Sequence, residues 1–244
     1  MADTRHYLIF GATSDLAAAF MDVADHSSVF TLVARDAEKL AAITPASSTL
    51  VRTYVCDLQD ETSIKELVKV LKSEKLKFDG VLCTAGAHEV LPLRLYSKEK
   101  FRVMMDINFF TVSNILTSIS SILNPAASIV VISSAATQRG AGTVAGYVAA
   151  KAAVEGLVRA AALEFAPKKV RVNSIAPGVF RSKMSEAFLG TFTDTQLERL
   201  NSSHPLSIGT AHDVAGCIKF LMGPDSSWMT GQNLVVDGGY SINA

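Results

Sequence analysis

The sequence predicts an α/β fold, a doubly wound parallel sheet covered by helices on both faces. Three observations predict it. Short runs rich in Val, Ile and Leu alternate with longer stretches of helical period. A glycine-containing turn, Gly11-Ala12-Thr13-Ser14-Asp15, joins the first such run to the first helical stretch. The 244 residues are 49% hydrophobic and 19% charged, which suits one layered domain over residues 1–244 with a deep core.

In order, strands are predicted over residues 7–10, 29–34, 50–55, 80–84, 128–133, 170–176 and 233–237. Near-continuous apolar runs of this kind suit strands buried on both faces. Helices are predicted near 16–24, 38–43, 62–73, 97–123, 146–165 and 211–222. The last carries its own punctuation, with a Thr210-x-x-Asp213 capping box at its start and Gly223-Pro224 as its stop. Residues 179–208 show neither period. A stretch of that length is usually functional, and it is read as a lid or substrate loop.

Bulk properties exclude several classes. The formal net charge of +0 draws the chain neither to nucleic acid nor to an anionic bilayer, so any anion site is local. The first apolar residues, from Tyr7, run straight into the Gly11 turn and are too few for a secretory leader. Nowhere do ~18 apolar residues run together, and a cytoplasmic location is the expectation. Cys56, Cys83 and Cys217 are odd in number and far apart, and are read as small core hydrophobes. His6, His26, His88, His204 and His212 lack metal-ligand spacing, so no metal site is expected; all but His88 are read as surface or loop residues.

Gly11 stands where a strand meets a helix, the context in which backbone N–H groups and a helix N-terminus bind a pyrophosphate. The segment through Thr13, Ser14, Asp15, Leu16 and Ala17 keeps only the first glycine of a three-glycine pattern, and an ordinary strand-to-helix turn is the plain alternative. Asp15 either sets a carboxylate near the bound dianion or caps the helix. At the end of the second strand, Ala34 and Arg35 occupy the position where an acid would select a ribose 2′-hydroxyl. Arg35 is read as a 2′-phosphate contact, which favours NADP(H) over NAD(H); its alternative is a pair with Asp36. Asp57, in Cys56-Asp57-Leu58, is placed to accept from an adenine amino group, or else caps a helix.

Tyr147 and Lys151 lie four residues apart on one face of a predicted helix. An ammonium beside a phenol stabilises the phenolate and lowers its pKa, making Tyr147 a usable proton donor and acceptor. Ser134 ends the fifth predicted strand, at the carboxyl edge where doubly wound folds bind ligands. Asn108 sits in a long apolar helix, where an amide is costly unless hydrogen-bonded.

With these residues in hand, the sequence resembles the short-chain dehydrogenase/reductase family almost from end to end. The resemblance rests on Gly11, Asp57, Ala85-Gly86, Asn108, Ser134, Tyr147, Lys151, Pro177-Gly178 and the tail Thr230-Gly231-Gln232-Asn233-Leu234-Val235-Val236-Asp237-Gly238-Gly239. The tail and the Ser/Tyr/Lys spacing look most like the 3-oxoacyl-carrier-protein reductase branch. The resemblance implies a single-domain Rossmann fold with a seven-stranded sheet, acting on a small-molecule carbonyl/alcohol pair. It also implies that Ser134 polarises the substrate carbonyl, Tyr147 protonates it, and Lys151 binds the nicotinamide ribose and tunes Tyr147. Asn108 anchors a water linking Lys151 to solvent. Pro177, Gly178 and the backbone near Phe180 orient the nicotinamide, and Ser182 stands where a threonine touches the cofactor. Cys83-Thr84-Ala85-Gly86 departs from the family's Asn-Asn-Ala-Gly, so a sheet-bracing amide becomes a thiol.

Two readings compete with an NADPH-dependent carbonyl reductase. Arg35 argues against an NAD-linked alcohol dehydrogenase, and the complete Asn108/Ser134/Tyr147/Lys151 set argues against a non-catalytic cofactor sensor. His88, Glu89, Arg139 and Arg181 are candidates for the substrate rim. A homotetramer is expected, in line with the family, because the helix over 146–165 is rich in small residues such as Ala149, Ala152, Gly156 and Ala160, with Leu116, Ile119 and Ile122 as further interface candidates.

Overall fold

The computed structural model describes residues 4–43 and 50–243; residues 1–3, 44–49 and 244 of the expected single domain lie outside the described residues. The chain runs β1 (His6–Phe10), α1 (Asp15–Val23), β2 (Val29–Ala34), α2 (Ala37–Ala41), β3 (Leu50–Val55), α3 (Glu61–Ser73) and β4 (Phe78–Cys83). It continues with α4 (Lys98–Met105), α5 (Thr111–Ile119), β5 (Leu123–Ile132), α6 (Ala136–Arg139), α7 (Ala145–Phe165) and β6 (Arg171–Pro177). The last elements are β7 (Phe180–Arg181), α8 (Lys183–Leu189), α9 (Asp194–Ser202), β8 (Gly209–Thr210), α10 (Ala211–Met222) and β9 (Asn233–Val236).

Seven strands form one parallel sheet in the order β3-β2-β1-β4-β5-β6-β9. The order reverses between β1 and β4, and a crevice opens there at the carboxyl ends of the strands. Because side chains alternate along a strand, β1 feeds two cores at once. Leu8 and Phe10 pack with α3, α5 and α7 on one face, while Tyr7 and Ile9 pack with α1 and α10 on the other. The Thr210–Asp213 start of α10 forms as predicted: Asp213 Oδ2 accepts from the Thr210 backbone N–H and hydroxyl, both at 2.7 Å.

Two expectations are corrected. The helix predicted over 97–123 is interrupted. Between α4 and α5, residues Asp106–Phe110 form a π turn in which the Thr111 N–H reaches five residues back to the Asp106 carbonyl. The cause is Asn108, fully buried, whose Nδ2 donates to the carbonyls of Met104 at 3.1 Å and Ala87 at 2.8 Å. At the far end Ser120–Ile122 tightens into a 3-10 turn and Leu123 already opens β5, with Pro125 barring any further helix.

The stretch 179–208 is also more regular than predicted. β7 pairs in parallel with β8, and α8 and α9 lie between them. A Thr193/Gln196 capping box starts α9, a signal the sequence carries. No helix among the described residues is long and apolar enough to cross a membrane.

Candidate active site

Gly11 turns out of β1 at φ +84°. A Cβ there would lie 2.7 Å from the Ala85 nitrogen and from the Thr84 hydroxyl oxygen, so only glycine brings this turn against the end of β4. Ser14 caps α1, its hydroxyl accepting from the Ala17 N–H at 3.1 Å and donating to Thr84 Oγ1 at 2.8 Å. The Thr84 hydroxyl also reaches the Gly11 carbonyl at 2.8 Å. Thr84 therefore braces β4 to the turn, one position beyond the thiol that replaces the family's amide. Cys83 itself is core, and burial pushes its thiol up to about 12.

The capping reading of Asp15 is corrected. The cap is Ser14, and Asp15 Oδ2 accepts from the backbone N–H of Lys183 at 2.7 Å, tying the turn to the start of α8. Nor does Asp36 pair with Arg35. Asp36 caps α2 by accepting from the Lys39 N–H and pairs with the Lys39 ammonium at 3.1 Å. Arg35 is exposed and makes no ion pair among the described residues. Asp57 is exposed and its carboxylate accepts from the Gln59 N–H at 3.0 Å, while Asp60 caps α3. Arg35, Asp57, Leu58, Ala85 and Gly86 line one cleft, and Ser134, Tyr147, Lys151, Pro177, Gly178, Phe180 and Ser182 line a second. The two meet over Thr13, Ser14 and Gly86, in a continuous trough that suits a dinucleotide.

At the other end α7 presents Tyr147 and Lys151 toward the end of β5. The Lys151 ammonium is buried, donates to the Ile132 carbonyl at 2.8 Å and lies 5.7 Å from the centre of the Tyr147 ring. Burial drops its pKa to about 8. The expected net lowering of Tyr147 is corrected: burial raises the phenol above its ordinary value, and the neighbouring Ser134 side chain pulls the other way. Asn108 and Lys151 converge on Gly86, where a Cβ would come within 2.9 Å of Asn108 Oδ1 and 3.2 Å of Lys151 Nζ. Asn108 Oδ1 also accepts from the Ala87 N–H at 3.2 Å.

Of the rim candidates, the His88 ring stands 6.2 Å from that of Tyr147. Glu89 is instead paired with Lys100, and Arg139 donates to the Tyr240 carbonyl at 2.8 Å and covers its ring. Arg181 is exposed. One histidine is neither surface nor loop: His6 stands in β1, half-buried and pushed down to about 4 by desolvation. His204 lies in the loop after α9, as read, but is buried. His204 Nε2 accepts from the Val179 N–H at 3.2 Å and Nδ1 faces the Leu200 carbonyl at 2.8 Å. Sequence reasoning also missed Met184, which lines both clefts, and Glu155, whose signal was its position four residues beyond Lys151.

The family model described as enoyl-(acyl carrier protein) reductase matches residues 15–241. The chain belongs to the short-chain dehydrogenase/reductase family. Among short-chain dehydrogenase/reductase relatives it is 34% identical over 208 residues to 2,5-dichloro-2,5-cyclohexadiene-1,4-diol dehydrogenase of Sphingobium indicum, covering 82% of each chain. It is 31% identical to 3-oxoacyl-[acyl-carrier-protein] reductase of Thermotoga maritima, covering 79% of this chain and 78% of the relative. The crystal structure of levodione reductase superimposes with a TM-score of 0.86 at 25% identity, over 98% of both chains. A carbonyl/alcohol oxidoreductase using a nicotinamide cofactor follows from this membership. The branch expected from the tail is one of several, because the diol dehydrogenase is at least as similar.

Proposed function

We propose that the protein reduces a carbonyl to an alcohol, reversibly, with NADP(H), and that Tyr147 is the general acid and base. The observation that carries this reading is the single cavity that Ser134, Tyr147, Lys151 and the Pro177-Gly178 end of β6 line together. When bound, the nicotinamide supplies or accepts the hydride. Gly11, Thr13, Ser14 and Leu16 would hold the pyrophosphate, Arg35 the 2′-phosphate, Asp57 and Leu58 the adenine, and Ala85, Gly86 and Lys151 the ribose. Pro177, Gly178, Phe180 and Ser182 would hold the nicotinamide. Ser134 donates to the substrate carbonyl oxygen and Tyr147 passes that oxygen its proton. Lys151, charged below its pKa of about 8, stabilises the phenolate left behind. Asn108, within the π turn and beside Lys151 at Gly86, is assigned the water that reconnects Lys151 to solvent.

Ile132, Phe180 and Met184 make the wall beside Tyr147 apolar, and residues 179–208 serve as its substrate lid. We therefore favour an uncharged cyclic or short aliphatic ketone, a class to which the names of the diol dehydrogenase and levodione reductase lend support. NADPH oxidation should be followed across cyclic ketones, ketoesters, quinones, steroids, sugars and aldehydes with the parent and Tyr147→Phe. Turnover of a ketone that Tyr147→Phe abolishes is the expected result; equal rates in both proteins would remove Tyr147 from the mechanism. A homotetramer working in the cytoplasm completes the reading.

A further inference from the structure

α7 carries a third ionisable side chain on the stripe of Tyr147 and Lys151. Glu155, four residues beyond Lys151, is only 8% exposed. A carboxylate so far from water is costly unless donors surround it. It has two close ones. Glu155 Oε1 accepts from the hydroxyls of Ser133 and Thr137, both at 2.6 Å, and Gln138 Nε2 stands 3.5 Å from Oε2. The first two bracket Ser134, one residue before it and three after.

Ser133 is itself held at the sheet edge by its N–H, which donates to the Ile175 carbonyl at 2.6 Å. The Thr137 N–H donates to the Ser134 carbonyl at 3.1 Å. The segment carrying Ser134 is therefore fastened on both sides of that residue, and the fastening point is on the helix that carries Tyr147. Charge-assisted hydrogen bonds are short and stiff, and a fixed Ser134-to-Tyr147 spacing is what a shared substrate oxygen requires.

We infer that Glu155 is a positioning residue, a buried carboxylate that sets the Ser134 hydroxyl against the Tyr147 hydroxyl by clamping Ser133 and Thr137 to α7. The inference rests on the proposed roles of Ser134 and Tyr147. An ordinary core contact would instead act through stability or cofactor affinity.

The test compares the parent with Glu155→Leu, Glu155→Gln, Thr137→Val, Ser134→Ala and the Glu155→Leu/Ser134→Ala double variant. The fastest-reduced ketone of the panel is the substrate, and NADPH affinity is read separately from its fluorescence. Glu155→Leu is expected to lower kcat by about 10- to 100-fold, the penalty of a misplaced reacting group, with KM and NADPH affinity nearly unchanged. Glu155→Gln, which keeps an acceptor oxygen, should recover most of that loss. In the Ser134→Ala background, Glu155→Leu should cost almost nothing more.

An undiminished kcat in Glu155→Leu, or an equal loss with and without Ser134, would overturn the inference while leaving the role of Ser134 standing. A fully active Ser134→Ala would instead overturn the proposed role of Ser134, and the inference with it. Should Glu155→Leu fail to fold, Thr137→Val decides, since Thr137 is only half-buried. It removes one of the two close donors, together with that hydroxyl's reach to the Ser134 carbonyl at 2.8 Å, and should lower kcat several-fold by the same pattern; no change in kcat would overturn the inference.

Discussion

Burial drives Tyr147 and Lys151 in opposite directions, and their pH dependence follows from that. The phenol is raised, so it keeps its proton well past neutrality, while the ammonium is brought down to about 8. The proposed carbonyl reduction uses the protonated phenol and the charged lysine. Its kcat/KM, which reports the free enzyme, is therefore expected to fall as pH rises through about 8, and Lys151→Met should lose that limb in a pH–rate profile. The same shift has a stability consequence. Between about 8 and 10.5 the unfolded chain holds a proton on Lys151 that the folded chain has released, so stability rises with pH across that window. Urea midpoints at several pH values, compared with Lys151→Met, measure it.

Arg35 makes the second prediction. With Asp36 engaged by Lys39, the guanidinium is free to meet a 2′-phosphate, and such a contact is worth about 1.5–3 kcal/mol, or roughly ten- to a hundredfold in affinity. Exposure and salt push the effect toward the lower end. Dissociation constants for NADPH and NADH in the parent and Arg35→Ala, at low and moderate salt, check it. An unchanged ratio would reopen the NAD-linked alternative.

Secondary-structure elements owe their ends and breaks to polar groups that need partners. The long helix expected over 97–123 breaks where Asn108 turns its amide to Ala87 and Met104. Asn108→Leu strands both polar groups of the Ala87 backbone, each at a cost of about 1–3 kcal/mol. A lowered urea midpoint with an unchanged slope is expected. In the stretch 179–208 the decisive contact is Asp15 to Lys183 N, which joins α8 to the Gly11 turn. Asp15→Ala should speed hydrogen exchange at the Lys183 amide and raise the substrate KM. Exchange as slow as in the parent would show that α8 docks without Asp15.

At the scale of assembly, the interface residues expected from the sequence divide. Leu116, Ile119 and Ile122 face the chain's own core, because α5 packs against α3 under the sheet. Ala149, Ala152 and Ala160 are exposed on α7, beside Leu163, which is 78% exposed, and α4 next to it exposes Val103. A second apolar face runs over α10 and β9, with Phe220, Val235 and the 99% exposed Trp228. Two separate self-complementary faces are what a tetramer with three twofold axes needs. Light scattering at micromolar concentration should give four copies for the parent and two for Leu163→Arg or Trp228→Arg. A monomeric parent would overturn the assembly.

Sequence alone was enough for the sheet, because burial on both faces writes inner strands as continuous apolar runs and binds β2 to its predicted boundaries. It was also enough to single out Ser134, Tyr147 and Lys151, which the fold brings to one cavity, because their strand-end and helical spacings are local. Contacts between distant residues escaped it. Asp15 finds its partner 168 residues away. Glu155 meets Ser133 and Thr137 only because α7 crosses the end of β5. Tyr147 and Lys151 were legible as a pair, yet the sign of the phenol's shift was not, since it depends on how much water folding removes from both groups. Periodicity records which face of an element is buried; which polar groups meet there, and in how dry a setting, is decided by the packing of elements far apart in the chain.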